Sequence, residues 1–317
     1  MTLGWIESGE GVGTLQGWIE AGAASAKARD FRAASGHYLR ALERDPRHPQ
    51  ALRGLAEAYR GLREAGRCLE TWDRYLVLYP GDVSVQTRVG DACRRAGQLE
   101  RAAAHYQAAL HHDPRDRYAL MGLGDLHQKA HRPEEALACW EQLLALAPGL
   151  LNIRTMAGNL CRRKLDFHRA EHHFREALAL DPHNAHAVFG LADALRGQGR
   201  FEEAAPYWDE ILETDPGNRQ VLCRAGDCFT RLGRCDRAAA LFRRALDSGY
   251  DRSALLGLAK VHLQLGAPAE AIRCYETILA RNPEDARASL LLAQVPAAAG
   301  LEAGAAAPVH PEAADPA

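Results

Sequence analysis

The chain has 317 residues, of which 47% are hydrophobic and 25% charged. That mix excludes a collagen, a wholly disordered chain and a membrane bundle. A net charge of −2, with an isoelectric point near 6.7, excludes whole-molecule attraction to nucleic acid or to an anionic membrane.

In chain order, the first segment is Met1-Thr2-Leu3-Gly4-Trp5-Ile6-Glu7. It has no basic stretch and no apolar core, so it does not read as a secretory signal. Gly4-Trp5-Ile6-Glu7 is echoed at Gly17-Trp18-Ile19-Glu20, but Trp5 fits no later register. Residues 1–14 are therefore expected to cap the start of the folded array, or to form a short docking segment. From residue 15 a ruler appears. Prolines fall at Pro46, Pro80, Pro114, Pro148, Pro182 and Pro216, each 34 residues after the last, and the series resumes one residue early at Pro283. The ruler marks eight repeats: 15–48, 49–82, 83–116, 117–150, 151–184, 185–218, 219–251 and 252–285. Residues 286–296 read as a capping helix carrying Leu290, Leu291 and Leu292 and closed by Pro296. Residues 297–317 are rich in Ala and Pro and read as a disordered tail. The length alone, at about 150 residues per domain, predicts two domains; the ruler replaces them with one quasi-linear array.

Within each repeat, apolar residues recur twice at helical spacing, as in Leu120, Leu123 and His127, then Ala136, Trp140, Leu143 and Leu144. Prolines and a partial set of turn glycines (Gly97, Gly199, Gly233, Gly266) separate the two runs. Each repeat is thus read as two antiparallel helices, A and B. Repeat position 8 is small throughout: Gly22, Ala56, Gly90, Gly124, Gly158, Ala192, Gly226, Ala259. Position 20 is Ala in every repeat except Cys68. Position 24 is aromatic in all eight: Tyr38, Trp72, Tyr106, Trp140, Phe174, Trp208, Phe242, Tyr275. Small residues let two backbones approach, and the aromatic fills the space between them and the next repeat. The three Trp of this column read as core rather than as a ligand cage.

These columns resemble the tetratricopeptide repeat family over residues 15–285. The resemblance implies an all-α, right-handed superhelical solenoid of about eight helix-turn-helix repeats. One repeat cannot bury its face alone, so neighbours stack. A second period of 68 residues overlies the first. Even repeats carry Gly at position 6 (Gly54, Gly122, Gly190, Gly257), whereas position 24 is Trp only in repeats 2, 4 and 6. A pair of repeats is the expected building block, with either complementary packing or an alternating groove wall as its purpose.

The resemblance also implies that helix A lines a concave groove. Position 9 there reads Glu57, Asp91, Asp125, Asn159, Asp193, Asp227 in six successive repeats. Positions 12 and 13 supply Arg60, Arg94, Arg95, Lys129, Arg162, Arg163 and Arg196. Residues four apart share a helix face, so Asp91 is expected to reach Arg95 and Asp125 to reach Lys129. The plain reading is a solvated, ion-paired face; the functional reading is a ladder whose forks and carboxylates hold a bound chain. Arg224 belongs to the same face, and the position-6 glycines are expected to leave recesses beside Tyr118, Met121 and Phe189. The family's carboxylate clamp for chaperone C-termini is not matched: its closest register offers Asn159, Gly190, Gln220 and Arg224, with Thr155 where Lys is needed. The family's asparagine ladder ahead of a glycosyltransferase domain is mostly Asp here.

Other chemistry finds little support. His168, His172 and His173 include an i,i+4 pair, with His105 as a conceivable third ligand, yet exposed histidines explain them as well. The eight cysteines are scattered without a CxxC pair, which reads as reduced thiols near the core and a cytoplasmic location. No phosphate-binding loop or nucleophile elbow occurs, so no enzyme, cofactor or metal is expected. The expected function is an adaptor that binds an extended peptide or helix of a partner protein in its groove. Partners are proteins, not nucleic acid, and nothing inserts in a membrane. The alternatives are a regulatory or assembly subunit acting as a homo-oligomer, and an accessory module of a glycosyltransferase-type enzyme.

Overall fold

A computed structural model describes residues 13–295. The readings made of Trp5 and of the 297–317 tail lie outside those residues. Among the described residues the chain is all helical. The A helices are α1(Leu15–Lys27), α3(Pro49–Gly61), α5(Val83–Arg95), α7(Arg117–Lys129), α9(Leu151–Arg163), α11(Ala185–Gly197), α13(Arg219–Arg231) and α15(Arg252–Gln264). Each is followed by a B helix: α2(Phe31–Arg44), α4(Ala65–Leu78), α6(Leu99–His112), α8(Pro133–Leu146), α10(Phe167–Leu180), α12(Phe201–Thr214), α14(Cys235–Asp247) and α16(Pro268–Arg281). A last helix, α17(Ala286–Ala293), packs on α16. The expected pairing of helices is what the structure shows. Among the described residues, contacts gather into two compact units that divide between Ile153 and Arg154.

Local chemistry sets both turns of each repeat. The last residue of a repeat caps the next helix A: Asp82, Asp116, Asn184, Asn218, Asp251 and Asp285 each accept a backbone N–H from the first turn. His48 does the same through its ring nitrogen. These caps satisfy N–H groups that no intrahelical carbonyl reaches. Between A and B, position 15 adopts the left-handed conformation in every repeat. Gly97, Gly199, Gly233 and Gly266 have φ of 69–78°, and Arg29, Arg63, His131 and Leu165 have φ of 56–63°. The residue after each closes a six-residue loop back to the helix, as in Asp30 N–H to Ser25 C=O at 2.9 Å and Asp166 N–H to Cys161 C=O at 3.0 Å. The partial glycine column therefore marks a geometry that all eight turns share.

A side chain at such a turn costs roughly 1–2 kcal/mol. Leu165 also leaves 72% of itself exposed, so its packing returns little. Leu165→Gly is expected to stabilise the protein by about 0.5–1 kcal/mol, after the entropy glycine adds to the unfolded chain. The urea midpoint should rise; a fall would mean that Leu165 makes contacts worth more than its strain.

The aromatic column explains the 68-residue period. In odd repeats the ring lies between two glycines, one on its own helix A and one on the next. A Cβ added at Gly22, Gly90, Gly158 or Gly226 would lie 2.7–2.8 Å from the ring of Tyr38, Tyr106, Phe174 or Phe242. At Gly54, Gly122, Gly190 and Gly257 the distance falls to 2.2–2.3 Å from the same four rings. In repeats 2, 4 and 6 an indole takes the place of the ring, and Trp72, Trp140 and Trp208 are at most 2% exposed. The position-6 glycines alternate because the ring of each odd repeat lies against that position of the next helix A. Aromatic rings occupy the space a side chain would take at the position-6 glycines, and Gly257 also borders an open cleft.

Five cysteines are buried and three half-buried, all as free thiols. No helix among the described residues is long and apolar enough to cross a membrane.

Candidate functional site

The position-9 acids sit where the helix-A faces of successive repeats meet, but their partners are not the expected ones. In the N-terminal half, Glu57 accepts from Arg60 three residues on (2.7 Å) and from Arg88 of the next repeat (2.6 Å). Asp91 pairs with Arg94 (3.4 Å) and accepts the Tyr106 hydroxyl (2.7 Å). Burial and this carboxylate push the Tyr106 phenol well above its ordinary range. Among the described residues, Asp91 does not reach Arg95, and Asp125 forms no ion pair with Lys129. Burial raises the Asp125 carboxyl, and the Arg94 and Lys129 charges offset this only in part. The i,i+4 expectation fails because position 12, three residues on, lies closer to position 9 than position 13 does. Position 13 points outward, so Arg95, Lys129 and Arg163 are exposed.

In the C-terminal half the same positions converge on one carboxylate. Asp193 is 2% exposed. Arg162 of the preceding repeat donates to its Oδ2 at 2.6 Å. Arg196 of its own helix donates to Oδ1 at 2.8 and 3.0 Å, and Arg224 of the following repeat donates to Oδ1 at 2.6 Å. Arg196 also reaches Asp227 (3.0 Å), and Arg162 reaches Asn159 (3.3 Å) and lies over the Phe189 ring at 5.7 Å. Burial raises the Asp193 carboxyl, and the Arg196, Arg224 and Arg162 guanidiniums more than reverse this, leaving its pKa below the ordinary value. Asp193 is thus shared by position 12 of its own and the preceding repeat and by position 6 of the following one, whereas Glu57 and Asp227 hold parts of that set.

A cleft of about 860 Å³ opens on α11, α13, α15 and α17. Seven cations and the carboxylates Asp227 and Asp251 line it. Arg196 and Arg224 are held by Asp193, and Arg252 by Asp285, so Arg219, Arg231, Lys260 and Arg287 are the lining cations with no ion pair among the described residues. Arg196, Arg224 and Asp227 belong to the expected groove. Arg219, Arg252 and Arg287 were missed; the signal was arginine at the first or second residue of three successive A helices. A second cleft, of about 460 Å³, opens between α3, α4 and α5 and includes Glu57, Arg60, Asp91 and Arg95. Tyr118 is 72% exposed and Met121 is also exposed; they line neither cleft.

The histidines correct another reading. His168 and His172 are exposed, but His173 is buried, and its column mate His105 lies 2.8 Å from Gln86 Oε1. Among the described residues, no three side chains of His, Cys, Asp or Glu converge as a metal site would require.

Family models described as the tetratricopeptide repeat match residues 20–83, 94–156, 155–219, 195–255 and 231–295. The chain is 25% identical over 192 residues to stress-induced-phosphoprotein 1 of Caenorhabditis elegans, covering 58% of this chain and 57% of that protein. It therefore spans just over half the length of this curated relative. Among solved structures, PilW, described as a type IV pilus biogenesis factor, is 21% identical and superposes with a TM-score of 0.52. That match covers 66% of this chain and 98% of PilW. YrrB, described as a TPR protein with an unusual peptide-binding site, is 18% identical with a TM-score of 0.51. That match covers 59% of this chain and 96% of YrrB. At these identities the likeness is one of fold.

Proposed function

We propose that this chain, which belongs to the tetratricopeptide repeat family, is a protein-binding scaffold that holds an extended acidic segment of a partner against the helix-A face of its C-terminal half. The observation that carries this reading is one cleft holding four cations, Arg219, Arg231, Lys260 and Arg287, that form no ion pair among the described residues, in a protein whose net charge is −2. Clefts of this kind favour an oppositely charged ligand in affinity, register and rate of encounter. Arginine forks suit both carboxylate side chains and backbone carbonyls. No disulfide joins the eight cysteines, which fits a reducing compartment, the cytoplasm.

The test is a charge reversal at residues that hold no ion pair among the described residues. Arg231→Glu, Lys260→Glu and Arg287→Glu together should leave the melting temperature within about 3 °C and remove most crosslinked partners captured by the native chain. Binding should also weaken steeply between about 50 and 200 mM salt. Capture of the same partners at the same strength by the triple variant would refute the groove.

A further inference from the structure

The 460 Å³ cleft of the N-terminal half opens where helix B begins with a small residue, Ala65. Position 17, at the start of helix B, packs on position 13 of the next helix A. Phe31 occupies that place over Gly61, and Phe167 over Gly197; an added Cβ at either glycine would meet the ring at 2.4–2.5 Å. In repeat 7 the pair is Cys235 and Gln264, in contact at 3.5 Å. In repeat 2 the residue is Ala65, and the next position 13 is Arg95. The plug is missing, and its space is open.

The walls of that space are small (Ala65, Ala92, Ala96) and its floor is Cys68, Leu69 and Trp72, all at most 7% exposed. Four arginines rim it, Arg60, Arg63, Arg88 and Arg95, together with the carboxylates Glu57 and Asp91, the second of which pairs with Arg94. Arg60 and Arg88 share Glu57, whereas Arg63 and Arg95 form no ion pair among the described residues. An apolar floor under a cationic rim, at a volume within the usual ligand range of roughly 300–1,000 Å³, is a built receptor.

We infer that this cleft is a socket for one aromatic side chain of a partner segment whose flanking residues are acidic. The phenyl ring would take the place that Phe31 and Phe167 fill at their own junctions. The flanking carboxylates would meet Arg63 and Arg95, the two rim arginines with no ion pair among the described residues, and Arg60 and Arg88 would extend the positive rim. An aromatic anchor in a desolvated pocket ringed by charge is the arrangement that concentrates binding energy. This inference rests on the reading of the chain as a binder of acidic segments, but it concerns a different half of the molecule.

The probe is a fluorescein-labelled peptide, Glu-Asp-Glu-Phe-Glu-Asp-Glu, titrated with the full chain up to about 1 mM and followed by anisotropy. Saturable binding is expected, at least tenfold weaker when Phe in the peptide becomes Ala. Ala65→Phe, which restores the plug, should weaken it at least tenfold with unchanged helicity. Arg95→Glu, at an exposed position, should do the same and keeps the test valid if Ala65→Phe fails to fold. The socket is overturned if no saturation occurs, or if binding ignores the peptide's Phe or ignores every folded socket variant. The triple reversal in the C-terminal half separates the two readings. If it abolishes partner capture while Ala65→Phe leaves both capture and peptide binding intact, the socket fails and the groove stands.

Discussion

Asp193→Asn is expected to lower stability by about 2–3 kcal/mol, read as a drop in the urea midpoint with an unchanged slope. The carboxylate is 3% exposed and holds three guanidiniums, of Arg162, Arg196 and Arg224, which are themselves 18–31% exposed. Removing one member of a buried pair costs about 3–5 kcal/mol. Partial exposure of the arginines screens their mutual repulsion and reduces that figure. Glu57→Gln is the control, since its partners Arg60 and Arg88 are 61% and 54% exposed; its cost should stay near or below about 1 kcal/mol. The pH dependence has a definite sign. The Asp193 pKa is lowered in the fold from 3.8, so its contribution is complete above that value and is lost as pH falls through the folded value. The native protein should lose stability on acidification more steeply than Asp193→Asn. Parallel acid profiles for the two would show that Asp193 does not hold the network together.

Gly190→Ala is expected to destabilise by about 2–3 kcal/mol, although alanine is the better helix former by about 1 kcal/mol. The new Cβ would lie 2.2 Å from the Phe174 ring, which is itself fully buried and cannot withdraw. Overpacking of this kind costs about 1–3 kcal/mol, and sometimes more. Gly36→Ala and Gly66→Ala reverse the sign: both lie in B helices with nothing within 4 Å of the added carbon, and both should stabilise. A double-mutant cycle with Phe174→Leu locates the effect. The pair should cost less than the sum of its parts by at least about 1 kcal/mol. Additive costs would mean that the glycine is there for some reason other than the ring.

The helix pairs and the aromatic core were legible because each is written eight times in register. A proline, a small residue and an aromatic at fixed offsets leave little freedom for a single chain. The composition of the helix-A face was equally plain, with Glu57, Asp91, Asp193 and the arginines all in their columns. The partners within that face were not. Choosing Arg94 over Arg95 for Asp91 depends on a rotation of less than one residue. The bonds from Arg162 and Arg224 to Asp193 span 31 residues each, so they exist only once repeats are stacked. A missing side chain at position 6 suggests a hole; the ring from the previous repeat fills it at Gly54, Gly122 and Gly190, while a cleft borders Gly257. The hole that does exist, at Ala65, is an absence in a column where large and small residues mix, and sequence alone gives such an absence no weight.

The shared rings also give the array a reading frame for duplication and loss. Excising residues 49–82 would bring Tyr38 against Arg88, where a long side chain stands in place of Gly54. Excising residues 49–116 would instead bring it against Gly122, and the contact would be remade. A crossover between repeats one apart inherits a clash, whereas a crossover two apart inherits a seam. Deleting residues 49–116 is therefore expected to leave a more stable protein than deleting residues 49–82, read as the urea midpoint.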